Sequence, residues 1–407
     1  MWNVVLLGIV SLLADVSSEM VYPLIPLFLA SVGAGPATLG LIEGSAEMLA
    51  SLTKVASGRR SDRTGRRKPL ALLGYGLSAA GKGILAMAGG WPGILAGRLA
   101  DRFGKGIRGA PRDALLADSV ALDRRGRAFG LHRAMDTAGA LIGVLIAYAI
   151  IAGVARPTAA TYTRVFALSV LPAALGVAVL ALVRERTKPQ APGPRPQAPR
   201  ADAPSTQNAK RKTQNAKRTV LWSSLDRRLK AFLLIALLFT LGNSSNQFLL
   251  LRAGQLGQSS GGVILLYGFY NAIYALLSYP AGWLSDRVGR RALLVAGYAI
   301  YGLVYLGFGL AQGTAALWPL FGLYGAYTAF TDGVEKALLV DLAPPELKAT
   351  LIGLHAAIVG VMLLPASLLA GLLWDQVGPA APFLAGGGVG LLAAIGLWLV
   401  LARTKSP

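Results

Sequence analysis

Long stretches without charge are the feature of this sequence that most restricts its possible folds. Several long segments contain no Asp, Glu, Lys or Arg, among them 231–251, 253–285, 292–331, 349–374 and 376–402. An α-helix needs about 20 apolar residues to cross a bilayer, and each segment reaches that length. Only 14% of all residues are charged, against roughly 25% in soluble domains. We therefore expect an all-α integral membrane protein.

The apolar runs and the residues that interrupt them predict twelve membrane-spanning helices. Their expected positions are 4–31, 36–57, 69–89, 91–117, 125–152, 162–184, 229–254, 259–282, 291–311, 316–341, 349–374 and 379–402. The first run has no small-residue cleavage pattern behind it, so we expect a retained anchor and no signal peptide.

Lys and Arg are concentrated on alternate loops of this twelve-span arrangement. The loops at 59–68, 124–127, 184–230 and 287–291 are basic, as are Lys348 and the tail, whereas the opposite loops carry little beyond Arg156 and Arg252. This asymmetry predicts an inner (cytoplasmic) membrane protein with both termini in the cytoplasm. It also explains the net charge of +21 without a nucleic-acid partner.

Residues 185–228 differ in composition from the rest of the chain. They are rich in Pro, Lys and Arg and contain the tandem TQNAKRKTQNAKR. With no apolar face to bury, the segment is expected to be a disordered, basic cytoplasmic linker. The predicted domains are therefore 1–184, 185–228 and 229–407.

The two halves of the chain are similar to each other. GRRSDRTGRR at 58–67 matches GWLSDRVGRR at 282–291, an offset of 224 residues. DALLADSV at 113–120 matches KALLVDLA at 336–343 with an offset of 223, which also superposes His132 and His355, the two histidines of the chain. Two six-helix repeats joined by a cytoplasmic linker are typical of secondary transporters.

The decapeptides carry a resemblance to a known family. Both match the signature Gly-x-x-x-Asp-Arg-x-Gly-Arg-Arg/Lys between the second and third spans of the major facilitator superfamily, and the chain resembles that family everywhere except the linker. The matching residues are Gly58, Asp62, Arg63, Gly65, Arg66, Arg67, Gly282, Asp286, Arg287, Gly289, Arg290 and Arg291.

This resemblance implies two pseudo-symmetric six-helix bundles and transport by alternating access. A monomer is implied as well, because most members of the family are monomeric. It also implies a conformational latch, in which the motif Asp lies by a helix N-terminus and pairs with Arg across the halves in the outward-facing state. The alternative interpretation is that the motif arginines only set the membrane topology.

The fourth span, GRLADRFGKGIRGAPRDALLAD, has a charged stripe. Successive residues of a helix are about 100° apart around its axis. On that basis six charged residues fall within an arc of about 120°: Arg98, Asp101, Arg102, Lys105, Arg108 and Arg112. Charge inside a membrane is costly and indicates a functional site by default. We expect the stripe to face a water-filled cavity, counter-ions or both, and we predict that its basic residues bind substrate.

The first span is predicted to supply the counter-ions. Asp15 and Glu19, which are also candidates for proton coupling, lie one turn apart and share a face with Tyr22, a candidate substrate residue. A rise of about 1.5 Å per residue places Glu19 level with Arg102 and Lys105. In the resembling family the first, fourth, seventh and tenth spans line the cavity. The resemblance also associates the residue at the position of Arg102 with proton coupling, although Lys105 here replaces the usual Gln.

The fifth span contains His132, Arg133 and Asp136. His132 and Asp136 lie one turn apart, so they could relay a proton. Alternatively, they form a salt-bridge network that ties the fifth span to the fourth.

The second half offers amides and phenols in place of most charges. Such a lining suits an amphipathic organic molecule. The candidate substrate residues of this half are Asn243, Asn246, Gln247, Tyr267, Tyr270, Asn271, Tyr274 and Asp332. Glu335 is predicted to be a second proton site or a structural partner of Lys336.

The sequence contains no Ser/His/Asp set, no phosphate-binding loop and no metal-ligand cluster, so it predicts neither an enzyme nor a cofactor. The proton gradient is the expected energy source. Efflux of a small organic solute in exchange for protons is the first expectation. Proton-coupled uptake or facilitated transport of an organic anion is the alternative, and a sensor or scaffold with this fold is a third.

Overall fold

A computed structural model of the chain describes residues 2–121, 125–185, 226–343 and 348–401. Most of the predicted linker and the basic tail lie outside the described residues. The described part contains fourteen α-helices: α1 (Trp2–Val21), α2 (Ile25–Ser31), α3 (Pro36–Thr64), α4 (Lys68–Ala86), α5 (Trp91–Asp118), α6 (Arg125–Ala152), α7 (Ala159–Leu182), α8 (Arg227–Gly242), α9 (Gln247–Gln255), α10 (Ser260–Val288), α11 (Arg290–Leu310), α12 (Leu317–Leu342), α13 (Lys348–Gln376) and α14 (Ala381–Leu401).

These helices form twelve spans, as predicted, because two spans are broken. A 3-10 turn at Tyr22–Leu24 separates α1 from α2, where Pro23 cannot donate a helical hydrogen bond. Residues 243–246 separate α8 from α9 in the same way in the second half. Eight of the described helical stretches are apolar and long enough to span a membrane by composition alone.

Two helices extend further than the sequence predicted. α3 continues to Thr64 and α10 to Val288, whereas ends near 57 and 282 were expected. Each is terminated by a glycine with positive φ, Gly65 at 64° and Gly289 at 90°, a conformation that other residues adopt only with strain. Most of each arginine-rich decapeptide therefore lies on the last helical turns and not in the loop.

The same packing scheme occurs in both halves. In the first, α4 and α3 pack on α5 while α1 packs on α6 and α7; in the second, α11 and α10 pack on α12 while α8 packs on α13 and α14. Close approach depends on small residues, as membrane helix interfaces generally do. A Cβ on Gly104 of α5 would lie 2.4 Å from the Gly74 carbonyl oxygen of α4.

Two matching sets of contacts show which residues of the two repeats correspond. Arg67 forms an ion pair with Asp118, and its Nη1 donates to the Ala114 carbonyl oxygen at 2.5 Å. Arg290 forms an ion pair with Asp341 and donates to the Ala337 carbonyl oxygen at 2.7 Å.

These contacts correct the alignment of the two motifs. The structural counterpart of Arg67 is Arg290, 223 residues later, and not Arg291 as the motif register implies. The second-half loop is shorter, because three residues separate α3 from α4 whereas only Gly289 separates α10 from α11. This shorter loop explains why the offset between the repeats changes from 224 to 223.

The two halves meet at the end of the bundle where α3 begins and α13 ends. A Cβ on Gly40 would lie 2.1 Å from the Ser367 carbonyl oxygen, and the Ala37 amide donates to Asp375 at 2.9 Å. We call this the closed end. The opposite end, where α3 gives way to α4, is called the motif end, and the cavities described below lie on its side of these contacts.

Candidate functional site

The first half encloses a cavity of about 430 Å³ between α1, α3, α5 and α6, which we call the basic cavity. Its cationic lining residues are Lys54, Arg102, Lys105, Arg108, Arg112 and Arg133. Its carboxylates are Asp15, Glu47, Asp113 and Asp136. The charged stripe predicted on the fourth span therefore does line a polar cavity, apart from its first two members.

Half of these cations already have a partner. The pairs are Arg102 with Glu47 at 3.0 Å, Arg112 with Asp113 at 2.9 Å and Arg133 with Asp136 at 3.9 Å. Lys54, Lys105 and Arg108 make no ion pair with any described residue, and the one carboxylate left to face them is Asp15. Arg108 is only 4% exposed, and a nitrogen of its guanidinium, Nη1, has no hydrogen-bond partner in the described part of the chain.

A second charge cluster lies behind this cavity, buried among α3, α4 and α5. Arg98 donates to both carboxylate oxygens of Glu43, at 2.7 and 2.6 Å, and its Nη1 lies 3.6 Å from Asp101. Lys82 donates to Asp101 at 3.0 Å. All four residues are at most 3% exposed. The cluster is electrically neutral, so Arg98, predicted to bind substrate, is instead part of the internal packing.

The expected counter-ion pairing was wrong for Glu19. Its carboxylate accepts a hydrogen bond from the Tyr267 hydroxyl at 2.6 Å, across the interface between the halves. The partners of Arg98 and Arg102 are Glu43 and Glu47 of α3, which the sequence reading missed. The available signal was two carboxylates one turn apart within a predicted span, a position where charge is rarely accidental.

The fifth-span group is tied to the first span. Ser11 donates to Asp136 in a short hydrogen bond and accepts one from Arg112 at 3.2 Å. His132 is buried, and its Nε2 finds no hydrogen-bond partner among the described residues. His132 and Asp136 interact electrostatically without a hydrogen bond between them in the described part, so a proton relay stays a prediction. Ser11 of α1 connects α5 to α6, which is close to the alternative of a polar network between the fourth and fifth spans.

The second half contains a cavity of about 220 Å³ that we call the tyrosine cavity. Its aromatic lining consists of Phe239, Tyr270, Tyr298, Tyr324 and Tyr327. The remaining polar members that matter here are Asn243, Asn246, Asp332, Glu335 and His355. Five residues predicted for this half, Asn243, Asn246, Tyr270, Asp332 and Glu335, are thus brought together.

Four other predicted substrate residues lie elsewhere. Gln247 is fully buried and donates to the Tyr22 carbonyl oxygen at 3.3 Å, and Tyr267 binds Glu19 as described above. The Tyr22 ring packs against Tyr267 at 5.2 Å and lies 5.7 Å from the Arg98 guanidinium. These contacts hold the halves together, and none of the four residues, Arg98 included, lines the basic or the tyrosine cavity.

A third cavity, the lateral cleft, lies between α6 and α10 and measures about 530 Å³. It contains Asn271 and Tyr274 and shares Asp15, Arg133 and Asp136 with the basic cavity. Its remaining lining is mostly apolar.

Within the described part of the chain, the motif residues form no latch between the halves in this conformation. Asp62 lies in the last turn of α3, not at the start of a helix, and makes no ion pair with a described residue. Asp286 lies 3.9 Å from Arg290 of its own half. Arg287 stacks on Trp283 at 3.7 Å, and Arg291 donates to the Trp398 carbonyl oxygen at 2.8 Å. An inter-half latch therefore stays a prediction for another conformation.

The residues described here form twelve spans in two repeats, with polar cavities along the interface, which is the architecture of a membrane transporter. The sequence profile of the Major Facilitator Superfamily matches residues 7–252 and 232–407. The chain belongs to this superfamily and is a secondary transporter, not an enzyme.

Relatives and solved structures agree with this assignment. An uncharacterised MFS-type transporter of Methanocaldococcus jannaschii is 35% identical over 399 residues, 97% of this chain and 93% of the relative. An uncharacterised protein of Mycobacterium tuberculosis is 27% identical over 374 residues, 91% of this chain and 86% of that protein.

Among solved structures, the fold is similar to a nucleoside transporter (TM-score 0.78, 13% identity, 98% of this chain and 100% of that one). It is also similar to a D-xylose–proton symporter (TM-score 0.74, 18% identity, 99% and 98%). At such identities the similarity concerns the fold alone.

Proposed function

We propose that the protein takes up a small organic solute carrying a carboxylate or phosphate group, together with a proton, by alternating access. The observation that supports this proposal is the charge imbalance of the basic cavity. Lys54, Lys105 and Arg108 line this cavity and form no ion pair with a described carboxylate. Lys105 and Arg108 interact electrostatically with Asp15, and Lys105 also interacts with Glu47, which is already paired with Arg102.

An acidic solute would complete this site. A buried charge without a counter-ion is costly. Arg108 is buried and its guanidinium lies 4.1 Å from the centroid of the Tyr75 ring, but its Nη1 has no hydrogen-bond partner among the described residues. A carboxylate or phosphate accepts charge-assisted hydrogen bonds from Arg and Lys, each contributing roughly 1.5–3 kcal/mol. The solute anion therefore gains its affinity where the protein lacks its own anion.

Coupling to protons follows from the position of Asp15. When Asp15 is ionised, it offsets one of the three cations; when it is protonated, all three are free to attract an anion. Binding of the proton and of the acidic solute therefore favour each other, and this favourable coupling is reciprocal. Such coupling favours co-transport, in which proton and solute move in one direction.

The conformation and the membrane orientation are consistent with this cycle. We propose that the motif end faces the cytoplasm, as the distribution of Lys and Arg predicts, so the structure is an inward-facing state of a monomeric protein in the cytoplasmic membrane. The latch between Asp62 or Asp286 and the opposite half then belongs to the outward-facing state, where the motif ends approach each other.

Efflux of an organic cation in exchange for protons is the second candidate. It is favoured by the tyrosine cavity, whose carboxylates would attract a cation. In that case solute and proton compete for the same carboxylates, so binding of one would release the other, which is the requirement for antiport.

Binding by the purified protein distinguishes these candidates. A ligand of the folded state raises the unfolding temperature, so a panel of small organic acids and organic cations is added at fixed concentration. We expect an acid to stabilise the protein and Arg108→Gln to weaken its binding by about tenfold or more. Arg164→Gln, an exposed change outside the cavities, should leave binding unchanged. Stabilisation by cations alone would overturn the proposal.

A further inference from the structure

The tyrosine cavity has the opposite electrostatic character to the basic cavity. Its described lining includes Asp332 and Glu335 but no Lys or Arg. Asp332 pairs with Lys336 at 2.8 Å. Glu335 accepts a hydrogen bond from the Tyr298 hydroxyl at 2.7 Å and lies 3.7 Å from Nε2 of His355. No described Lys or Arg forms an ion pair with Glu335, so this cavity can accept a cation.

Its walls suit a cation as well. Ring centroids lie 5.2 Å apart for Tyr324 and Tyr327 and 5.4 Å apart for Tyr270 and Tyr324, so several aromatic rings surround one small space. The faces of aromatic rings attract ammonium groups, and this attraction grows when the site is desolvated.

A hydrogen-bond acceptor without a donor lies at the cavity and favours an amine that carries N–H groups. The amide nitrogen of Asn243 donates to the Tyr327 hydroxyl at 3.1 Å, and this leaves its buried carbonyl oxygen without a described donor. A primary ammonium supplies a donor to such an acceptor, whereas a quaternary ammonium has none.

The two cavities are linked through the lateral cleft. The lateral cleft shares Arg133 and Asp136 with the basic cavity. It also contains Tyr274, whose hydroxyl donates at 2.9 Å to Asp332 of the tyrosine cavity. Arg133 interacts electrostatically with both Tyr274 and Asp332. The lateral cleft and these polar contacts therefore connect the sites in the two halves.

We propose that the transported solute is a small zwitterion with its acidic group in the basic cavity and a primary amine in the tyrosine cavity. The acidic end rests on the proposed function, and the amine is the added claim. An acid without an amine leaves Glu335 and the Asn243 carbonyl oxygen unsatisfied. An amine without an acid leaves Lys105 and Arg108 uncompensated.

Matched compounds test the added claim on the purified full-length protein. Each set contains a zwitterion, its N-acetyl derivative, which keeps only the acid, and its fully esterified form, which keeps only the amine: the alkyl ester of a carboxylate or the dialkyl ester of a phosphate. The zwitterions are aliphatic and aromatic amino acids and aminoalkyl phosphates. We expect at least one zwitterion to bind about tenfold more tightly than its own N-acetyl derivative or its own ester, as measured by thermal stabilisation.

Variants then assign the amine to its site. Glu335→Gln should lower the affinity for that zwitterion to the level of its N-acetyl derivative and leave the affinity for the derivative itself unchanged. Asp341→Asn, which removes a carboxylate of the same half outside the cavities, is the control and should change neither.

The possible outcomes separate the two proposals. If N-acetyl acids bind as tightly as zwitterions, or if Glu335→Gln weakens both equally, the zwitterion is wrong while the acidic substrate stands. If only the esters bind, the proposed function fails as well. If no compound of any set binds, the zwitterion proposal is overturned.

Discussion

At the scale of single residues, the chain contains buried charges of two kinds. Glu43, Arg98, Asp101 and Lys82 satisfy one another in a neutral cluster away from the cavities. Arg108 is buried as deeply but lacks a carboxylate among the described residues. Burial alone therefore does not identify a binding residue, and a buried cation without a carboxylate partner is the stronger candidate.

The neutral cluster should be sensitive to the loss of one member. Glu43→Gln leaves an uncompensated positive charge in the membrane interior, and breaking a buried ion pair in this way costs about 3–5 kcal/mol. We expect a clear fall in the thermal unfolding temperature of the purified protein. Removing the partner charge too, in Glu43→Gln with Arg98→Gln, should recover part of the loss.

Glu47→Gln is the matched control for that change. The Glu47 side chain is 31% exposed to the cavity and pairs with Arg102, so water can solvate the remaining charge and the loss should be smaller. A Glu43→Gln protein as stable as the wild type would contradict the structural role of the cluster.

At the scale of helices, the contact between α3 and α13 closes one end of the transporter. Gly40 and Gly44 bring the backbones together, since a Cβ on Gly44 would lie 2.6 Å from the Leu364 Cα. Alternating access requires this contact to separate in the outward-facing state, so it can contain no permanent covalent or bulky connection.

A larger residue at Gly40 should hold the closed end open. Because the chain has no cysteine, Ser367→Cys introduces a single thiol at a fully buried position of this contact. We expect a membrane-impermeant maleimide to label it slowly in the parent and rapidly after Gly40→Val. Gly76→Val, whose added Cβ meets nothing within 4 Å, should not change the rate. Equal protection with and without Gly40→Val would show that the contact is not a gate.

The positions of the helices could largely be predicted from the sequence, but their ends could not. Spans and repeats are visible in one dimension, as charge-free runs and matching decapeptides, so the twelve spans and the paired halves were predicted correctly. The extent of α3 and α10 was not, because the polar motif residues continue the helix beyond the apolar run.

Partners across the interface could not be deduced in the same way. Asp15 and Glu19 share a helix face, but Asp15 reaches the basic cavity whereas Glu19 meets Tyr267 of the other half. The depth of a residue follows from the helical rise, but which neighbour occupies that depth depends on how the bundles pack. Glu43 and Glu47 of α3 were not predicted as counter-ions because the packing of α3 against α5 is not visible in the sequence.

At the scale of the whole molecule, the two halves share one fold but differ in the chemistry of their cavities. The contacts of Arg67 and Arg290 are equivalent, whereas one half has a cationic cavity and the other an aromatic, acidic one. This difference allows a pseudo-symmetric protein to bind an asymmetric solute in one orientation.

Proton movement in proteoliposomes tests the central claim most directly. Purified protein is reconstituted with a pH-sensitive dye inside, and organic acids, zwitterions and cations are added outside. We expect an acidic or zwitterionic solute to carry protons inward with it, and Asp15→Asn to abolish the proton signal while solute uptake continues. Proton flow in the opposite direction to the solute, driven by organic cations, would contradict co-transport and establish the antiport alternative.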